Sequence, residues 1–154
     1  MLMANVNHST LSDPFLHEPK GVASASSGDV YLANGSGSGT WTSRQAILTV
    51  QFPDISSASN LYVPIPYAGT ITKIQSALTA AISGGNAVFT VTNSSGSSMG
   101  TLTITQSGSA AGDVDTLAPS SNNTVTAGSF IKIACDGGPS SHIEACIVIC
   151  VDGS

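Results

Sequence analysis

From Gln45 onward the chain alternates apolar and polar positions with a period of two, the pattern of strands with one buried side. Ala46, Leu48, Val50 and Phe52 alternate with Ile47, Thr49 and Gln51. Leu61, Val63 and Ile65 alternate with Tyr62, Pro64 and Pro66; Ala87, Phe89 and Val91 with Val88, Thr90 and Thr92. Leu102 and Ile104 alternate with Thr101, Thr103 and Thr105, and Ile131, Ile133 and Cys135 with Phe130, Lys132 and Ala134. Two prolines cannot donate to a ladder, so the Leu61–Pro66 run predicts an edge strand or a strand end. His142 to Val151 is apolar on nearly both sides and predicts a central strand. Val114 with Leu117, and Val125, mark two shorter ones.

Ile71, Ile74, Leu78 and Ile82 also fit a helix with Thr70 as its cap and Gly84 as its stop. The β-branched residues Thr70, Ile71, Thr72 and Ile74, set among short strands, decide for a strand over 70–82. Ser83-Gly84-Gly85-Asn86, Asn93-Ser94-Ser95-Gly96 and Asp136-Gly137-Gly138-Pro139 supply turn chemistry, and residues 93–100 read as a hairpin loop. Short strands at this spacing predict an all-β fold, an antiparallel β-sandwich of jelly-roll-like type, over residues 45–154. Few charges guard its strand edges, which points to a homo-oligomer in which neighbouring copies cover them.

Residues 1–44 differ. Their larger apolar anchors are few: Leu16, Val22, Val30, Tyr31, Leu32 and Trp41. They end in the run Asn34-Gly35-Ser36-Gly37-Ser38-Gly39-Thr40. This segment cannot bury a core alone and reads as an extended N-terminal arm that orders against something else. Trp41, the single tryptophan, pins the arm to the domain or anchors it at an interface.

Composition narrows the function. Charged residues are 8% of the chain, against about 25% in an average soluble protein. The chain holds 25 Ser, 15 Thr and 16 Gly, which do the surface work that Lys and Glu usually do. A net charge of −5, with Lys20, Arg44, Lys73 and Lys132 scattered, argues against a nucleic-acid partner. No apolar run approaches the roughly 20 residues of a membrane span, and the start lacks the basic and apolar regions of a signal peptide. A product made in the cytoplasm and released by lysis is expected, with Met3 as an alternative start. Cys146 and Cys150 share one side of a strand about 13 Å apart, too far for a disulfide. Cys135, Cys146 and Cys150 therefore read as buried, reduced thiols.

The chemical motifs are weak. Gly96-Ser97-Ser98-Met99-Gly100 matches the hydrolase elbow in letters, but it falls in a predicted hairpin rather than between a strand and a helix. Asp113, Asp115 and Asp136 lack the loop pattern of a calcium site and read as turn and surface acids. His8, His17 and His142 have no metal-ligand spacing. The Asn-x-Ser/Thr matches at Asn7, Asn34, Asn93 and Asn122 follow from the abundance of Ser and Thr. No catalytic residue, no cofactor and no metal is expected.

The strings His17-Glu18-Pro19-Lys20-Gly21-Val22-Ala23-Ser24-Ala25, Gly28-Asp29-Val30-Tyr31-Leu32-Ala33-Asn34-Gly35 and Gly37-Ser38-Gly39-Thr40-Trp41 carry a resemblance. They are similar to the N-terminal segment of tailed-bacteriophage head-fibre and capsid decoration (cement) proteins. Residues 63–73, 110–115 and 125–128 more loosely resemble the β-sandwich domain of phage virion decoration proteins. The resemblance implies a structural, non-enzymatic virion protein: a homotrimer on the outer surface of the head, over three-fold or quasi-three-fold junctions of the major capsid protein. It implies that the arm binds the capsid through His17, Glu18, Pro19, Lys20, Gly21, Val22, Tyr31 and Trp41. Related N-terminal strings also occur in fibres and tail proteins, so the alternative is a head- or tail-fibre module that attaches to host glycans or receptors. The chain's eight aromatic residues and the lack of room for a stalk weigh against that alternative.

Overall fold

A computed structural model describes residues 25–153. It is all-β, with several antiparallel sheets and no helix among the described residues. The chain divides after Arg44 into two compact units. In the first, β1 (Val30–Ala33) pairs with β2 (Gly39–Thr42) in a two-stranded sheet. The second holds β3 (Gln45–Phe52), β4 (Ser59–Pro64), β5 (Gly69–Leu78), β6 (Ala87–Asn93) and β7 (Ser98–Ile104). It continues with β8 (Val114–Leu117), β9 (Thr124–Val125), β10 (Phe130–Cys135) and β11 (Ala145–Gly153).

Pairing in the second unit is nested. The hairpin β6–β7 is innermost; outside it β5 pairs with β8 and β9, then β4 with β10, then β3 with β11. Two sheets result, in the orders β4-β10-β6-β7 and β3-β11-β5-β8. The proline-bearing β4 lies at an edge and the doubly apolar β11 is central, as the alternation predicts. Both sheets feed one buried cluster that includes Phe52, Ile74, Phe89, Leu102, Ile133, Ile147 and Ile149. Phe52 of one sheet meets Phe89 of the other edge-to-face, with ring centroids 5.1 Å apart.

Two breaks in register shape this core. Cys150 faces Lys73 while Val151 faces Ile71, so Thr72 is the extra residue of a bulge. The bulge shifts the phase of β5, and Ile71 and Ile74 both turn inward. That three-residue spacing is what imitates a helix in the sequence. β5 nevertheless ends at Leu78, so the strand expected over 70–82 is four residues too long. In β7 the shift falls between Gly100 and Ser98, leaving Met99 unpaired and buried. Gly100 has φ +129°, and a Cβ there would meet Leu117 Cδ1 at 2.9 Å.

β8 is the short strand that Val114 and Leu117 mark, but the two residues lie on opposite sides of it. Residues three apart cannot share one side of a strand. Leu117 packs against the core, so Val114 points outward at 52% exposure and Asp115 takes the inward position. Residues 136–139 and 83–86 are not hairpin turns. They link strands of different sheets and bind each other: Asp136 N–H donates to Val88 O and its Oδ1 accepts from Val88 N–H, while Ser140 N–H donates to Ser83 O.

Candidate functional site

Of the arm residues singled out in the sequence, His17, Glu18, Pro19, Lys20, Gly21 and Val22 lie outside the described residues. Tyr31 and Trp41 lie within them, directly opposed across β1 and β2, with rings edge-to-face at 5.2 Å. Over Val30–Thr42 the segment is a β-hairpin. Asn34 closes the turn: its Oδ1 accepts from the backbone N–H groups of Ser36 (2.9 Å) and Ser38 (3.2 Å), and its own N–H donates to Ser38 O. Glycine is required at Gly39, where a Cβ would collide with Leu32 O and the Tyr31 ring.

The outward side of the β3-β11-β5-β8 sheet mixes apolar and polar residues, with its apolar run along β11. Register places Ile47, Cys150 and Lys73 in one row, Thr49, Val148, Gln75 and Thr116 in the next, and Gln51, Cys146, Ala77 and Val114 in a third. Ile47 is 68% exposed. Gln75 Nε2 donates to Thr116 Oγ1 within the middle row, and toward the ends of the strands Gln45 Nε2 donates to Asp152 Oδ1 and Gln51 Nε2 to Glu144 Oε2. The expectation of three buried thiols holds for Cys135 and is corrected for the other two. Cys135 is buried with its thiol aimed at Ile55 O, but Cys146 and Cys150 are half-exposed on this outward side, because Ala145, Ile147, Ile149 and Val151 take the core positions of β11.

The weak chemical motifs stay apart. Ser98 opens β7 just after the β6–β7 turn; its hydroxyl accepts from Gly100 N–H and its carbonyl from Asn122 Nδ2. Asp136 accepts from Val88 and Gly138 backbone N–H groups, which makes it a loop staple. Among the described residues no group of three or more His, Cys, Asp or Glu side chains lies close enough to hold a metal ion. Asp54 accepts from the hydroxyl and N–H of Ser56 and from the hydroxyl of Ser57, with His142 Nδ1 at 3.3 Å. The Ser56 hydrogen bonds, chiefly, hold its carboxyl below the usual range. Asp115 goes the other way: burial, then the neighbouring Asp113 charge, raises it. It lies opposite Ser76, which is 1% exposed, and both Asp115 Oδ2 and Ser76 Oγ are buried without a hydrogen-bond partner among the described residues.

The sequence reading passed over one cluster. Tyr62 and Phe130, on neighbouring strands, pack edge-to-face at 5.3 Å on the outward side of the other large sheet, beside Lys132. The signal was present: each aromatic occupies the outward phase of an alternating strand, where Thr or Ala is usual in this chain. No family model and no curated protein sequence matches the chain.

Proposed function

We propose that the chain is a structural virion protein, a homotrimeric capsid decoration (cement) protein on the outer surface of a phage head. In this reading the second unit is a jelly-roll sandwich, its nested pairing being the order of two wrapped Greek keys. The N-terminal segment, from His17 to Trp41, docks on the major capsid protein at three-fold or quasi-three-fold positions. Three such arms on one body bind together through effective concentration, so each contact can be modest.

The observation that carries the reading is β11. It is a central strand with aliphatic residues on its inner side and Cys146, Val148 and Cys150 on its outer side, beside Ile47 and Ala77 as well as Thr49, Gln51, Lys73 and Gln75. A chain that leaves such a patch outward is built to be covered, and a ring of three copies covers it with closed symmetry. The resemblance of residues 17–41 supplies the shell as the further partner. An interface with few charges depends little on salt, which suits an assembly that must survive changes of medium.

The test is the mass of the purified protein by sedimentation equilibrium, followed by co-sedimentation with undecorated heads. The full chain should be three times the monomer mass and should pellet with heads. A chain lacking residues 1–44 should keep the trimer mass and stay in the supernatant. A monomeric full chain, or a truncated chain that still pellets fully, rejects the reading.

A further inference from the structure

We propose that the cavity between β4, β10 and the β6–β7 turn is a binding site for a saccharide ring that bears a carboxylate. The inference does not rest on where the protein sits in a virion. The cavity is about 200 Å³ and is lined by Tyr62, Thr92, Asn93, Ser94, Phe130 and Lys132, with Gly96 at its lip. Pockets for drug-sized ligands run from about 300 Å³ upward, so this one suits a single ring.

The lining has the two-faced character of a pyranose. Tyr62 is 59% exposed and Phe130 39%, large values for aromatic rings on a sheet with a covered alternative. Both rings stay exposed while in edge-to-face contact, and an exposed aromatic ring is a surface against which the C–H face of a sugar packs. Register puts Tyr62, Lys132 and Thr92 in one row across three strands, so the ammonium and a hydroxyl lie beside the aromatic platform. No hydrogen bond joins the Tyr62, Thr92 or Ser94 hydroxyl to another described residue. Among the described residues no carboxylate lies within ion-pair distance of Lys132. A half-buried cation with no acid beside it, in a chain of net charge −5, selects a ligand that brings its own anion.

The wall is rigid before any ligand arrives. Asn93 Oδ1 accepts from Ser95 and Ser97 N–H, Asn93 N–H donates to Ser97 O, Gly96 N–H donates to Asn93 O, and Asn93 Nδ2 reaches Asn122 O. Such a turn loses little entropy on binding. A second copy of the chain is a poorer occupant. The apolar surface here is two rings in a concavity, far from the roughly 800 Å² per partner of a stable interface, and the broader apolar side belongs to the other sheet. A phosphate group would want several cations, and Lys132 is the single one in the lining.

The experiment uses the full chain, amide NMR spectra and calorimetry, with three probes: a glucuronate-containing tetrasaccharide, a neutral glucose tetrasaccharide and sodium acetate. The acidic sugar should move the amide signals of Tyr62, Thr92, Gly96, Phe130 and Lys132 and bind more tightly than the neutral one; acetate alone should move none. Lys132→Gln should weaken the acidic sugar about fivefold and leave the neutral one unchanged. Tyr62→Ala should weaken both about tenfold or more, while Tyr62→Phe, which preserves the fold and the ring, should keep most of the binding. No shifts with the acidic sugar, shifts away from these residues, or equal binding by Lys132→Gln overturns the proposal. So does a Tyr62→Ala chain that remains folded but loses its assembly with no sugar bound to the parent, since the rings would then be a contact between copies.

Discussion

The outward side of the β3-β11-β5-β8 sheet carries Ile47, Cys146, Val148, Cys150, Ala77 and Val114. That of the β4-β10-β6-β7 sheet carries Tyr62, Phe130, Lys132, Thr90, Thr92, Thr101 and Thr103. The inward sides are alike, both aliphatic and both part of one buried cluster. The core therefore constrains every second residue in the same way in both sheets, and the remaining residues are free to differ. One outward side carries aliphatic and thiol side chains among Thr, Gln and Lys, the surface on which a second copy is proposed to sit. The other carries hydroxyls, one amine and two rings around a concavity, suited to a small polar ligand.

The sharpest way to break this comparison is charge. Val148→Asp places a carboxylate at the centre of the patch and should convert the assembly to a folded monomer, read as sedimentation mass with an unchanged circular dichroism spectrum. The same carboxylate at Thr101→Asp should leave the mass unchanged. If both or neither dissociate the assembly, the two sides are not distinct. The neighbouring residue shows the contrast within one strand. Ile149→Ala, on the inner side of β11, should lose about 2–5 kcal/mol in urea unfolding, since a fully buried side chain leaves a cavity.

Gly100 sharpens the account of the bulge. Gly100→Ala should lose about 1–3 kcal/mol from its backbone angle, with Leu117 yielding at its flexible end. Thiol chemistry probes the patch without mutation. Cys146 and Cys150 should react with a thiol reagent at rates that rise on dilution below the dissociation constant of the proposed assembly, whereas buried Cys135 stays slow throughout.

The smallest effects concern two acids of opposite sign. Asp54 is held below its ordinary value of 3.8, so its contribution to stability is present above that pH and is lost as the pH falls through its folded value. Asp115 is held above 3.8, so the folded state binds its proton more tightly. Its contribution is present below pH 3.8 and is lost as the pH rises through the folded value. Asp115→Asn should flatten the stability profile on the alkaline side of 3.8, and Asp54→Asn on the acid side, both read from urea midpoints against pH.

Much of the second unit was legible because a strand writes its buried side into its own alternation. Leu61, Val63 and Ile65, or Ile131, Ile133 and Cys135, name their inward residues without help from any partner. Two apolar pairs mark where that reading stops. Ile71 with Ile74, and Val114 with Leu117, are spaced by three; the first pair shares the core through a bulge, and the second lies on opposite sides of a regular strand. Nothing local distinguishes these cases. The thiols were misplaced for a similar reason, since β11 is apolar on both sides and its own residues do not say which side is covered.

The alternation itself therefore determined the all-β class, the edge position of proline-bearing β4 and the central position of β11. Only the tertiary structure decided where the phase slips, that Asp115 rather than Val114 turns toward Ser76, and that Tyr62, Thr92 and Lys132 stand in one row. The physical reason is range. Side-chain phase is a property of a few consecutive residues, whereas register joins strands dozens of residues apart through long-range hydrogen bonding and packing that no short stretch of chain contains.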